Sequence, residues 1–196
     1  VLKTVANSKL LLRSTHSFDN KDICARFESQ FSDHGIPSSR LLFSGHRDSR
    51  QAHLAGICDA DIALDPFPCN GGTTSCETLW MGVPLITMKA NTYMGRQGVH
   101  YLTSAGLSEL ICEDADAYVE AAAKLAGQFE RLVKLRKNLR STVEQTLFAH
   151  DQHVQELEMA YETMWQRYLD GLNPTPFTVV DSKVRMTHNS FSRRAT

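Results

Sequence analysis

The chain has 196 residues, is 42% hydrophobic and 22% charged, and carries a formal charge of −1 with its eight histidines neutral. This is a globular balance, with length for one good core or one domain plus tails, and it excludes the basic footprint of a nucleic-acid binder. No apolar run is long enough to span a bilayer, and the opening VLKTVANSKLLLRS has neither the apolar stretch nor the cleavage site of a secretory leader.

With no initiator methionine and a strand starting almost at once, the chain is expected to be a piece cut from a larger protein. SKLLLRS (8–14) reads as a buried strand. KDICARFESQFSDHGI follows with Ile23, Phe27 and Phe31 at helical spacing, and Gly35 ends it. SRLLFSG is a second strand, SRQAHLAGICDA a helix and DIALD a third strand. The stretch DPFPCNGGTT then turns a glycine corner into a short helix over about 74–81. PLITM is a strand, GRQGVHYLTSAG a helix and ELIC a last short strand. The segment 114–141 is helical in two pieces that break near Gly127, and HDQHVQELEMAYETMWQRYLDG is a long amphipathic helix.

Strands alternate with helices five times, which is the pattern of βαβ units and a doubly wound parallel sheet covered on both faces. Such sheets take ligands beyond the carboxyl ends of their strands, and the corner 65–74 lies at one of these ends. The expected division is a domain over 1–171 and a mobile tail over 172–196, where NPTPFTVVDSKVRMTHNSFSRRAT shows no sustained period. The five cysteines are odd in number and lack C-x-x-C spacing, so a zinc site or disulfide framework is not expected, and a reducing cytoplasm fits. His150 and His153 make a lone pair on a helix start, which favours a solvated face over a metal site. Trp80 and Trp165 read as core anchors, and RLVKLRKNLR as a solvated basic face.

The corner carries the chemistry. A helix begins with unpaired N–H groups and a positive dipole end. Gly71 and Gly72 have no Cβ and let an anion approach the main chain, and Thr73 and Thr74 add hydroxyl donors, which together make an anion site at a helix start. Glu77, one turn in, has the place for a carboxylate that accepts from a ribose diol. The same residues also fit a plain turn followed by a Thr74-x-x-Glu77 capping box. Neither G-x-G-x-x-G nor a Walker loop is present, and the residues alone leave both readings open.

DIALDPFPCNGGTTSCETLWMGVPLITM, with MGRQGVHYLTSAGLSELI after it, closely resembles the C-terminal catalytic half of the O-linked N-acetylglucosamine transferases, SPINDLY-type proteins and bacterial tetratricopeptide-repeat homologues included. The resemblance runs from NSKLLLRS to AYETMWQRYLDG. It implies a GT-B enzyme of two Rossmann-like halves, of which this chain is the donor-binding one. By that resemblance Gly72, Thr73 and Thr74 hold the diphosphate of UDP-N-acetylglucosamine, Glu77 the ribose and His53 the phosphates. His46 and Arg47 lie in the loop that meets the base, with one extra residue between that loop and His53. Arg96 either covers the donor or caps a solvent-facing corner.

The resemblance also implies that the catalytic histidine, a phosphate-binding lysine and the acceptor contacts to Ser/Thr hydroxyls lie upstream of Val1, so no catalytic residue is expected within the chain. No metal and no cofactor are expected, nor a nucleic-acid or membrane partner. Animal members carry histidine where this chain has Gly72. That departure fits GDP-fucose-using SPINDLY-type relatives and many bacterial members equally. The alternatives to a UDP-N-acetylglucosamine half are therefore a protein O-fucosyltransferase half and a non-catalytic nucleotide-sugar-binding module.

Overall fold

The structure, a computed structural model, describes residues 1–14, 16–180 and 183–186, with backbone alone for 180 and 183–186. The chain divides into two units, residues 1–147 and 148–196. The division falls ahead of the last long helix, whereas the sequence placed it near 171.

In the first unit, β1 (Leu10–Arg13), α1 (Lys21–Asp33), β2 (Leu41–Ser44), α2 (Arg50–Ile57), β3 (Ala63–Leu64), α3 (Thr73–Trp80), β4 (Leu85–Met88), α4 (Gln97–Ser104), β5 (Ile111–Cys112), α5 (Ala115–Gly127) and α6 (Phe129–Gln145) follow one another in the expected alternation. Local chemistry sets the boundaries. Asn20, Ser49 and Asp114 cap α1, α2 and α5 with their side-chain oxygens. Gly35, at φ 76°, takes the left-handed position that stops α1.

Every pairing in this unit is parallel: β1 with β2, β3 with β4, and β4 with β5. The ladders form two blocks, β1–β2 and β3–β4–β5, where the pattern predicted one continuous sheet. Strand β3 is two residues long, and its register is fixed on one side by Ala63 N–H donating to Pro84 O and Asp65 N–H to Ile86 O.

The core lies around β4. Leu79, Val83, Ile86, Leu102 and Val143 are fully buried, and Leu125 nearly so. Each such side chain contributes roughly 1.5–3 kcal/mol of transfer free energy. Helix α6 does more than present a solvated basic face. Arg136 Nη1 donates to Ala60 O at 2.6 Å and Asp61 O at 3.1 Å, just beyond the C-terminus of α2, and the Arg140 guanidinium lies 4.6 Å from the Trp80 ring centroid. A basic run at helical spacing looks solvated in sequence because the carbonyls that receive it come from 75 or so residues away, separations of 76 and 75 for these two bonds.

The second unit holds α7 (His150–Leu169) and an antiparallel hairpin of β6 (Phe177–Val180) and β7 (Lys183–Met186), Phe177 opposite Met186. A mobile stretch was expected from 172. The hairpin instead uses the β-branched and aromatic run Phe177-Thr178-Val179-Val180, and Arg167 Nη2 on α7 ties the connection by donating to Asn173 O and Thr175 Oγ1. The rest of the expected tail, residues 181, 182 and 187–196, lies outside the described residues. Trp165 does not serve as a core anchor: it is 61% exposed and stacks on Tyr168 at 5.6 Å. No described helix is long and apolar enough to cross a membrane.

Candidate functional site

In a parallel ladder the carboxyl ends share one edge. Here the loops after β2, β3 and β4 each lead into a helix start, at Ser49, Gly72 and Arg96. Gly72 is the N-cap of α3, and it makes no side-chain cap. The capping box read from Thr74 and Glu77 does not form, because Thr73 and Thr74 already lie inside the first turn. The first turn's backbone bonds begin with Ser75 N–H and Cys76 N–H donating to Gly72 O. Among the described residues, the N–H groups of Gly72, Thr73 and Thr74 have no acceptor, and the exposed hydroxyls of Thr73 and Thr74 have no partner. A helix end with unspent donors and a positive dipole is a receptor for an anion.

Why this corner keeps its shape is seen beneath it, in residues to which sequence reasoning gave no role. Asp65 is 1% exposed. Its Oδ1 accepts from Gly71 N–H at 2.9 Å and Ser75 Oγ at 3.1 Å, and its Oδ2 from Thr87 Oγ1 at 2.7 Å. Its carbonyl accepts from Tyr118 Oη at 2.8 Å. Burial pushes the Asp65 carboxyl above its ordinary range, against the pull of the three bonds. Asn70, also buried, spans the same turn: Nδ2 donates to Pro66 O at 3.1 Å, and Oδ1 accepts from Gly98 N–H at 3.4 Å. Gly98 is needed there, since a Cβ would stand 2.5 Å from Asp65 Oδ2. The only sequence signal was an Asp directly after a strand and before Pro-Phe-Pro. Nothing in the sequence distinguished it from a solvated loop carboxylate.

Glu77 faces His53. Nε2 of His53, on α2, stands 3.0 Å from Glu77 Oε2, and since a carboxylate only accepts, the ring hydrogen sits on Nε2. Arg50 Nη2 lies 3.8 Å from Glu77 Oε1, with the arginine side chain 81% exposed. Arg13, at the end of β1, donates from Nη2 to the His53 carbonyl at 3.0 Å. Its guanidinium is held below its usual pKa, first by burial and then by the like charge of Arg47, with Asp59 and Glu77 acting the other way. Gly56 lets the two arginines approach: a Cβ there would be 3.2 Å from Nη2 of each. Four cationic or protonatable groups, Arg13, Arg47, Arg50 and His53, thus gather beside α3.

Three expected positions are less engaged with the corner. Arg47 Nη2 donates to Ser44 Oγ at 3.1 Å and pairs with Asp59 Oδ2 at 3.6 Å. His46 is exposed at the end of β2, stacked on His16 at 5.5 Å, with its N–H donating to the Asp19 carboxylate. Arg96 ends the turn Met94–Arg96 and is exposed, its guanidinium without a partner among the described residues. The structure therefore brings Gly72, Thr73, Thr74, Glu77 and His53 together, and among the described residues no hydrogen bond or ion pair joins the side chain of His46, Arg47 or Arg96 to them. Among the described residues no cluster of three or more His, Cys, Asp or Glu is placed to hold a metal ion, and His150 and His153 are exposed on α7.

Comparison with known proteins yields three kinds of match. The family model described as Glycosyl transferase family 41 matches residues 1–157. A barley (Hordeum vulgare) protein named as a probable UDP-N-acetylglucosamine–peptide N-acetylglucosaminyltransferase SPINDLY is 35% identical over 175 residues, 89% of this chain and 18% of the relative. A Caenorhabditis elegans UDP-N-acetylglucosamine–peptide N-acetylglucosaminyltransferase is 30% identical over 139 residues, 70% of this chain and 12% of the relative. Among solved structures, a mutant of the Thermobaculum terrenum O-GlcNAc transferase superimposes with a TM-score of 0.75 and 32% identity, over 83% of this chain and 31% of that one. The chain thus spans under a fifth of the curated relatives it matches here.

Proposed function

The chain belongs to glycosyl transferase family 41, and we propose that it is the donor-binding half of an enzyme that moves N-acetylglucosamine from UDP to Ser or Thr hydroxyls of proteins. The parallel α/β architecture is that of a Rossmann-like half of a GT-B transferase. The observation that carries the reading is the first turn of α3. The N–H groups of Gly72, Thr73 and Thr74 and two threonine hydroxyls converge there without protein partners among the described residues.

In this reading the diphosphate sits against those donors, and His53 contacts the phosphates from α2. Glu77 keeps lone pairs free beyond its bond to His53 and its ion pair with Arg50, and accepts from the ribose. His46 and Arg47 border the base, and Arg96 borders the donor from the far side. Donors fixed by the fold neutralise the charge that develops on the UDP leaving group as the glycosidic bond breaks, which is electrostatic stabilisation without a metal or other cofactor. In this reading the groups that activate and orient the acceptor belong to the other half of the enzyme. A cytoplasmic setting is supported by five cysteines that are all free thiols.

The second reading keeps the site and changes the donor to GDP-fucose. Gly72 is compatible with it and with the first reading alike, while the name of the SPINDLY relative gives UDP-N-acetylglucosamine as its donor. A third, a nucleotide-sugar-binding module without turnover in its parent, has no observation of its own in its favour.

Calorimetric titration of the chain with UDP-N-acetylglucosamine, UDP and GDP tests these readings. The expected outcome is UDP bound more tightly than GDP. A GDP preference moves the function to fucosyl transfer, and no binding of either removes the proposal. The chain incubated with UDP-N-acetylglucosamine and a Ser/Thr-rich peptide is expected to yield no glycopeptide by mass spectrometry, since orienting an acceptor accounts for roughly 7–11 kcal/mol of such a barrier.

A further inference from the structure

Facing the start of α3 is a side chain that the functional reading above does not use. A Cβ built on Gly72 would meet one described atom within 4 Å, Gln97 Oε1 at 3.2 Å. Gln97 is the first residue of α4 and reaches over the N-cap of α3 from the loop after β4. Its amide is oriented from behind. Tyr101 Oη, one turn further along α4, donates to Gln97 Oε1 at 3.2 Å. Burial, then the neighbouring Cys76, pushes the Tyr101 phenol up to about 12, so it remains a donor across the physiological range. With Oε1 accepting from Tyr101, the Nε2 hydrogens are the amide's donors left for a ligand. Their acceptor is Met94 Sδ at 3.4 Å, and a thioether is a weak acceptor that a charged oxygen readily displaces.

We propose that Gln97 is a ligand-contacting residue of this site, its Nε2 donating to a non-bridging oxygen of the diphosphate held at the start of α3. The inference rests on the nucleotide-sugar reading and extends it. Gly72 and Gln97 act as a pair: glycine at 72 leaves open the space into which the amide of residue 97 turns. A donor that comes from α4 couples the loop after β4 to the phosphates, and it supplies from a neighbouring helix what a side chain at 72 would supply from the corner itself.

The test is calorimetric titration of the full chain with UDP, with the unfolding midpoint of each variant measured alongside. Gln97→Met removes the donor at similar size and is expected to weaken UDP about 5- to 10-fold, the effect of one hydrogen bond to a charged group. Gln97→Glu sets a carboxylate against the anion and is expected to lose more. Gln97→Lys restores a donor with positive charge and is expected to bind at least as tightly as the unaltered chain. Tyr101→Phe leaves the amide unoriented and is expected to show a partial loss. A purely structural role cannot produce an order that follows the charge at residue 97 while the unfolding midpoints stay level.

Equal UDP affinity across the three Gln97 variants overturns the inference and leaves the nucleotide reading standing, as does a loss that merely tracks the unfolding midpoint. If the unaltered chain fails to bind UDP, both fall.

Discussion

His53 and Glu77 join the two parallel ladders at their carboxyl edge. His53 sits on the helix after β2 and Glu77 on the helix after β3, and their side chains meet at 3.0 Å across blocks that share no ladder bond. Arg13, from the end of β1, extends the bridge by donating to the His53 carbonyl. The contact that completes the proposed donor site is thus also one that holds its two walls in register.

Glu77→Ala tests which of the two roles dominates binding, ribose recognition or holding α2 against α3. UDP affinity is expected to fall about 10-fold, one or two hydrogen bonds to a charged acceptor, while inorganic pyrophosphate binds nearly as before. Calorimetry with both ligands checks this. An equal loss for pyrophosphate assigns Glu77 to holding α2 against α3 instead.

Replacing Thr73 and Thr74 together by Ala removes two exposed hydroxyls and leaves the helix amides in place. At about 1 kcal/mol each, somewhat more toward a charged oxygen, UDP should bind roughly 30-fold more weakly. Because both side chains are exposed and without partners among the described residues, the unfolding midpoint should not move. Unchanged UDP affinity in the double variant contradicts the anion site at this helix end.

The buried Asp65 gives stability a pH signature. Its folded-state pKa is raised above the ordinary 3.8, chiefly by burial. The folded protein therefore binds the proton more readily than the unfolded chain. The stability from this group is complete below 3.8 and is lost as pH rises through the raised value. Asp65→Asn cannot titrate, so the difference in unfolding free energy between the unaltered chain and this variant should shrink as pH rises from 3.8. Denaturant titrations at several pH values measure it, and a difference that grows with pH contradicts the assignment.

Gly82 stands at φ 77°, and a Cβ there would lie 2.9 Å from the Arg136 carbonyl oxygen. Gly82→Ala meets both the left-handed backbone and a main-chain atom of α6 that has no rotamer to yield. The expected cost is about 1–3 kcal/mol, read as a lowered unfolding midpoint. A midpoint unchanged within error would show that α6 moves aside freely.

The sequence by itself determined the alternation of strands and helices, the family, and that a helix begins close after the glycine corner. These are local properties: apolar period, capping residues and one long string of neighbours in the chain. Only the tertiary structure decided what holds that corner and what else faces it. Asp65 reads in sequence as a loop carboxylate, and its burial follows from Thr87 on β4 and Ser75 on α3 closing over it. Arg136 reads as a solvated cation, and it becomes a tether because α6 returns beside residues 60 and 61. Trp165 reads as a core anchor and is exposed, since periodicity reports which face of a helix is apolar and not whether anything covers it. Gln97 stands over Gly72 across a gap of 25 positions in the chain that no spacing rule spans. Distances between side chains far apart in sequence are set by how the helices pack on β4, and that packing is a property of all the buried residues together rather than of any one segment.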